Sequence, residues 1–150
     1  ASLTFTTQSE EATPDPNILQ LLNLNPNETS KIDNDAIIQI INENPNAARA
    51  IYPFEHCPGY PLHQSLSLHA SAKLINTLHD AYPYAASAQD KEGYTALHHA
   101  CLANSSLQII SLLLQKSKEA IKKKDENEML PLHIACAIGM PTEVITLLAD

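Results

Sequence analysis

The chain repeats itself every 35 residues, and this property narrows its possible folds more than any other. Leu62-His63, Leu97-His98 and Leu132-His133 fall in one register without a gap. In that register Asp90 meets Asp125 and Ala100-Cys101 meets Ala135-Cys136. Leu74-Ile75 meets Ile109-Ile110 and Val144-Ile145, and Leu78 meets Leu113 and Leu148. An offset of 38 adds a partial upstream copy, in which Ile37, Ile40, Pro45 and Ala47-Ala48 correspond to Ile75, Leu78, Pro83 and Ala85-Ala86. A fixed period of this length marks an array of stacked supersecondary units.

Each unit reads as turn, helix, break, helix. The polar turn Gln89-Asp90-Lys91-Glu92-Gly93 leads into a short apolar helix over Ala96 to Leu102, and Asn104-Ser105-Ser106 separates it from a second over Leu107 to Gln115. Thr95 stands where a hydroxyl caps the first helix; Pro61 and Pro131 stand where a missing N–H costs nothing. Upstream, Asp15 as N-cap and Pro16 as first helical residue open a short amphipathic helix through Leu24, which Asn25-Pro26-Asn27 stops. A further helix runs from about Asp35 through Asn44, with Ile37, Ile38, Ile40 and Ile41 as its apolar stripe and Pro45 ending it. Helices shorter than about 12 to 15 residues are marginal alone, so stability has to come from stacking. The expected fold is an all-α solenoid of helix-turn-helix units. The chain divides into a Ser/Thr/Glu/Pro-rich tail (1–16), N-terminal helices with a degenerate half repeat (17–54), repeat 1 (55–89), repeat 2 (90–124) and an incomplete repeat 3 (125–150).

Composition agrees with this picture and excludes several functions. Hydrophobic residues make up 44% of the 150 but aromatics only 5%, so the core is built from Leu, Ile and Ala. A net charge of −8 opposes nucleic-acid binding. Cys57, Cys101 and Cys136 are odd in number and form no C-x-x-C pair, which argues against a disulfide framework and for a reducing compartment. No apolar run has the length of a membrane span, and the start lacks a secretory pattern. A soluble intracellular, cytoplasmic protein is the expectation. Without a signal peptide the sequons Asn27-Glu28-Thr29 and Asn104-Ser105-Ser106 carry no weight. The chain begins at Ala1, and Val144, Ile145, Leu147 and Leu148 present a stacking face with no polar capping unit after it, so an excerpt of a longer array, or self-association through this end, is expected.

Gly93-Tyr94-Thr95-Ala96-Leu97-His98-His99-Ala100 with Leu113-Leu114, and Leu130-Pro131-Leu132-His133-Ile134-Ala135-Cys136 with Gly139 and Val144-Ile145-Thr146-Leu147-Leu148, resemble ankyrin repeats over roughly residues 55–150. Tyr60-Pro61-Leu62-His63 is a more divergent copy, with Ser65 where a small Ala belongs and His69 at the Gly break. The period is 35 where the family has about 33. Glu128 replaces a turn Gly, and Tyr82-Pro83 and Ser117-Lys118 replace a Gly-Ala. The resemblance implies a protein-interaction module that binds another protein on its concave, turn-tip face. The family's contact positions map onto Lys91, Glu92, Tyr94, Leu102 and Ala103 in the second unit. In the third they are Glu126, Asn127, Met129, Ala137 and Ile138, and in the divergent first His56, Cys57, Gly59, Ser67 and Leu68. The alternative is a regulatory or scaffolding part of a larger enzyme or channel whose functional domain lies outside the chain.

The histidines and cysteines raise the question of chemistry. His63, His98 and His133 share one phase of the repeat, but packed helix axes lie about 8 to 10 Å apart, too far for three imidazoles to share a zinc at about 2.0 to 2.1 Å. The resemblance gives them a structural task instead, bonding turn backbone and tying units together. His98 with Cys101 and His133 with Cys136 lack further ligands in their own units, and both cysteines read as small core residues. His56-Cys57 lies in a loop with no local acid, oxyanion donor or Gly-rich elbow, which speaks against a nucleophile. No catalytic residue, metal, cofactor, small-molecule substrate, nucleic acid or membrane contact is expected, and a metal-dependent hydrolase is the weakest reading. Lys116, Lys118, Lys122, Lys123 and Lys124 concentrate a charge of +4 with Glu119, leaving −12 elsewhere, and read as a solvated loop able to steer an acidic partner.

Overall fold

In the computed structural model, residues 12–27 and 32–149 are described. The tail over 1–11, Asp150 and part of the loop before Asp33 lie outside them. Eight α-helices follow in order among the described residues: α1 Pro16–Leu22, α2 Asn34–Glu43, α3 Pro61–Ser67, α4 Ala72–Ala81, α5 Ala96–Leu102, α6 Leu107–Lys116, α7 Pro131–Ile138 and α8 Thr142–Ala149. Short 3₁₀ turns at Pro45–Ala48, Pro83–Ala86 and Lys118–Lys122 close three of the units. No strand is present among the described residues; one antiparallel bridge joins Tyr52 and Gly59.

The helices form two rows. α1, α3, α5 and α7 pack in succession as the inner row, and α2, α4, α6 and α8 as the outer row. Within each unit the two helices also touch. α1 therefore stands as the inner partner of α2, so that the upstream partial copy is a full helix pair in the stack. Tyr52 anchors this first pair: buried, its hydroxyl accepts from Asp15 N–H and donates to Ala47 O, each at 2.9 Å, and its ring stacks on Phe54 at 5.1 Å.

Local chemistry sets the helix limits. The Asp15 carboxylate accepts from Asn17 N–H, Asp33 from Ala36 N–H, Thr95 from His98 N–H, and Ser71 and Ser106 from Leu74 and Ile109 N–H. Pro16, Pro61 and Pro131 occupy first helical positions. Each outer helix turns an aliphatic stripe inward: Ile37, Ile38 and Ile41 on α2, Leu74, Ile75 and Leu78 on α4, Ile110 and Leu113 on α6, Val144 and Leu148 on α8. Burying each such side chain stabilises by about 1.5 to 3 kcal/mol. Ala47, Ala48, Ala85, Ala86 and Ala120 are buried in the 3₁₀ turns, where small side chains let the turn lie close to neighbouring helices.

The backbone keeps the register even where the residues do not. His69, Asn104 and Gly139, spaced 35 apart, all take left-handed φ (59°, 54° and 81°) beyond the inner helices. Gly93 (φ 82°) and Glu128 (φ 64°) do the same in successive turns. Glu128 thus adopts the conformation of the glycine it replaces, and the turn is preserved. Two turn tips meet closely: Glu126 N–H donates to Glu92 O at 2.9 Å, and a Cβ on Gly93 would lie 2.8 Å from Asp125 Cα and from Glu126 N.

One core assignment needs correction. Cys101 is fully buried, but Cys136, at the same position of α7, is exposed; α7 packs over α5, whereas no described inner helix packs over α7. Helix bounds otherwise shift by a residue or two: α2 covers Asn34–Glu43, α6 reaches Lys116, and α1 ends at Leu22.

Gly93→Ala is expected to lower stability by at least about 2 kcal/mol, combining about 1 kcal/mol for a left-handed L-residue with a backbone clash. Glu128→Gly, with strain relieved and chain entropy gained in the unfolded state, should change stability by less than about 1 kcal/mol. Equilibrium urea unfolding of both variants checks the pair; similar losses would contradict the close approach at Gly93.

Candidate functional site

The interaction face expected from the repeat pattern lies on turn tips and the C-terminal ends of inner helices. Lys91, Glu92, Glu126 and Asn127 are exposed on the tips. On the inner helices Leu102 is 44% and Ile138 40% exposed, Ala137 is exposed and Ala103 half-buried. Tyr94 and Met129 are half-buried and structural in part: Tyr94 packs edge-on against His99 at 5.3 Å, and the Met129 carbonyl accepts a bond from His98.

The first unit departs from this expectation. Leu68 is completely buried: just past α3 its N–H bonds Gln64 O and Ser65 O, and its side chain joins the core, where a leucine gains about 2 to 3 kcal/mol. Cys57 and Gly59 are buried as well, Ser67 is half-buried and His56 is exposed. The loop carrying Cys57 and Gly59 instead lines a cleft of about 580 Å³ with the turn after α4, walled by Ile51, Phe54, Tyr60 and Tyr84. Ile51 and Tyr84 are 64% and 59% exposed. Neither lies at a repeat contact position, so the register could not single them out; of the expected contact residues, Gly59 and Lys91 line the cleft.

The three register histidines each bond backbone. Nδ1 of His98 accepts from Thr95 N–H at 3.1 Å while its Nε2 donates to Met129 O at 2.9 Å, linking α5 to the next unit. His133 Nδ1 accepts from Leu130 N–H at 3.0 Å. His63 Nε2 donates to Ala85 O at 3.1 Å, and its buried Nδ1 has no hydrogen-bond partner among the described residues.

A second cluster was not legible from the repeat. His99 Nε2 lies 2.8 Å from Asp90 Oδ2, with both side chains 7% exposed, and Cys57 Sγ sits 3.7 Å from the same nitrogen. Asp90 comes pre-oriented: its Oδ1 accepts from Glu92 and Tyr94 N–H, each at 2.9 Å, as Asp125 Oδ1 accepts from Asn127 and Met129 N–H. The turn thus occupies one carboxylate oxygen and leaves the other for His99. Cys57 therefore does have an acid and a base nearby, supplied by a turn and a helix far along the chain. The His63 ring stacks on His99 at 5.1 Å.

These surroundings set opposite charge states. Burial lowers His99, but its bonds to Asp90 and Cys57 outweigh that and hold it at about 9. Burial raises Asp90, yet the His99 bond and the Tyr94 and Glu92 amides leave it below the ordinary carboxylate value, so the pair is ionic. Burial and the neighbouring His99 push His63 down to about 4, and burial lowers His98 too. Cys101, raised to about 12 by burial, is an inert core thiol.

His99 contributes stability that is full below its unfolded value of 6.5 and lost as pH rises through about 9. His63 and His98, kept neutral, contribute stability present above 6.5; the His63 share is lost as pH falls through about 4. Stability of the chelator-treated protein is therefore expected to peak near pH 6.5. The alkaline loss amounts to about 3 kcal/mol at about 1.4 kcal/mol per pKa unit. Urea midpoints between pH 4 and 9.5 check the profile, and His99→Gln should flatten the alkaline limb.

No described helix is long and apolar enough to cross a membrane. No curated protein matches the chain. The family profile for ankyrin repeats matches residues 62–150 in three copies. With helix pairs stacked in two rows and that match over more than half its length, the chain belongs to the ankyrin-repeat family, whose repeats are generally protein-protein interaction modules.

Proposed function

We propose that the chain is a non-enzymatic interaction module whose protein partner docks across Lys91, Glu92, Tyr94, Leu102, Ala103, Glu126, Asn127, Met129, Ala137 and Ile138. The observation that carries the reading is the exposure of Leu102 (44%) and Ile138 (40%) at the ends of successive inner helices, α5 and α7, which pack side by side. Large apolar side chains held in water at one end of the inner helices, with charged tips at the other, supply an apolar centre and a polar rim, the usual anatomy of a protein interface. Lys91, Glu92 and Glu126 furnish the rim, and the Glu126–Glu92 backbone bond fixes the two tips relative to each other. Leu68 has no part in this face.

Leu102 and Ile138 are the informative test positions, because Tyr94 and Met129 also support the histidine contacts. Leu102→Glu and Ile138→Glu together are expected to cut partner capture at least tenfold in affinity purification from the source cell, while each shifts unfolding stability by under about 0.5 kcal/mol. Mass spectrometry of proteins lost with the double variant identifies the partner. Undiminished capture by a folded double variant would refute this face.

A further inference from the structure

Cys57, Asp90 and His99 bring a thiol, a carboxylate and an imidazole together with their donor atoms within 4.8 Å of one another. Two chemistries employ such a trio. In a nucleophile–base–orienter triad, nucleophile and carboxylate sit on opposite ring nitrogens of the histidine. Here Nε2 is the closer ring nitrogen to both, 2.8 Å from Asp90 Oδ2 and 3.7 Å from Cys57 Sγ, while Sγ is 3.9 Å from Nδ1. Sγ thus stands beside the imidazole, nearly equidistant from its two nitrogens and on the lone pair of neither, so the triad order is not formed and the three donors simply lie close together. Zinc bonds of about 2.3 Å to sulfur and about 2.0 to 2.2 Å to nitrogen and oxygen, in tetrahedral geometry, set S···N near about 3.5 Å and N···O near about 3.4 Å. The observed S···N and N···O contacts bracket those spacings, and binding needs His99 and Asp90 to part by about half an ångström and the His99 ring to turn until its Nε2 lone pair points between Asp90 Oδ2 and Cys57 Sγ.

The surroundings are built for ligation. Asp90 Oδ1 is held by two backbone amides, which aims Oδ2 at His99. His63 stacks against His99, donates from Nε2 to Ala85 O, and so keeps an unprotonated, unpartnered Nδ1 buried beside the cluster. A Cβ on Gly59 would lie 3.9 Å from that nitrogen, which places it against the loop that carries Cys57.

We propose that Cys57, Asp90 and His99 form a binding site for a zinc-class divalent transition metal, with a fourth position left to solvent. Cys57 ligates as thiolate, Asp90 as carboxylate and His99 as neutral imidazole, the displaced protons passing to solvent, so that two anionic ligands balance one dication. The donor set of sulfur, nitrogen and one oxygen suits zinc over magnesium or calcium. The metal clips the loop before α3 to the turn and inner helix of the next unit, across 42 residues of chain.

Cobalt(II) is the probe. Chelator-stripped full chain titrated with Co²⁺ is expected to develop a near-ultraviolet thiolate charge-transfer band and visible tetrahedral bands that saturate at one equivalent and vanish on adding Zn²⁺. Cys57→Ser should abolish the charge-transfer band, and Asp90→Asn and His99→Gln should weaken Co²⁺ binding at least tenfold. Cys136→Ser, at the exposed thiol, should leave the band intact. Far-ultraviolet circular dichroism checks that each variant is folded. If Cys57→Ser does not fold, a Zn²⁺-dependent rise in Tm seen in the wild type and lost in His99→Gln carries the test. Absence of a thiolate band in the wild type, a band that survives Cys57→Ser, or one that disappears only with Cys136→Ser would overturn the proposal.

Discussion

The longest of the described helices have ten residues and the inner ones seven or eight, so none of the described helices is stable without its neighbours. Every other feature follows from that dependence. Inner helices touch neighbouring inner helices, their own outer partners and the adjoining 3₁₀ turns, and the contacts that matter are those between consecutive units. Leu and Ile stripes supply most of the attraction, but apolar packing alone is non-directional. Direction comes from polar contacts that cross the unit boundaries: His98 to Met129 O, Glu126 N–H to Glu92 O, and His69 to Ala103 O at 2.7 Å.

The same dependence explains why the turns tolerate poor residues. A left-handed position costs an L-residue about 1 kcal/mol, yet His69, Asn104 and Glu128 all accept it. Each lies where the chain must reverse for the next helix to reach the stack, and the packing gained exceeds the strain. At Gly93 the reason for glycine differs, since the opposing Asp125 and Glu126 backbone leaves no room for a Cβ. The Glu128 side chain is exposed, so it survives there.

Helix pairing and outer stripes were legible in the sequence because they recur, and comparing units isolates what all of them need. Features that belong to one unit were invisible for the same reason. His99 corresponds to Gln64 in the unit before and Ile134 in the unit after, so the register gave it no special weight. Gln64 bonds the Leu22 and Leu24 carbonyls and Ile134 is buried in the core, whereas His99 turns to Asp90 and Cys57. Three side chains from a loop, a turn and a helix meet there, and no local spacing announces them. Leu68 was misplaced by the converse error: its counterparts Ala103 and Ile138 are at least partly exposed, but alignment carries over backbone position and not what covers the side chain.

Asp90 shows how a generic device becomes a particular one. Asp90 and Asp125 close their turns identically through Oδ1, so the carboxylate is required by the repeat whatever else surrounds it. The second oxygen is free of that duty. In the third unit the residue standing where His99 stands is Ile134, which offers no donor. In the second, His99 converts the spare oxygen into half of a buried ion pair, a pairing that is costly to break once made. Cys57 then approaches the same nitrogen from the preceding loop, so the turn that fixes a repeat's shape also gathers donors from three segments of the chain. The apolar face at Leu102 and Ile138 draws on none of those atoms, and a substitution at either place leaves the other's bonding groups untouched.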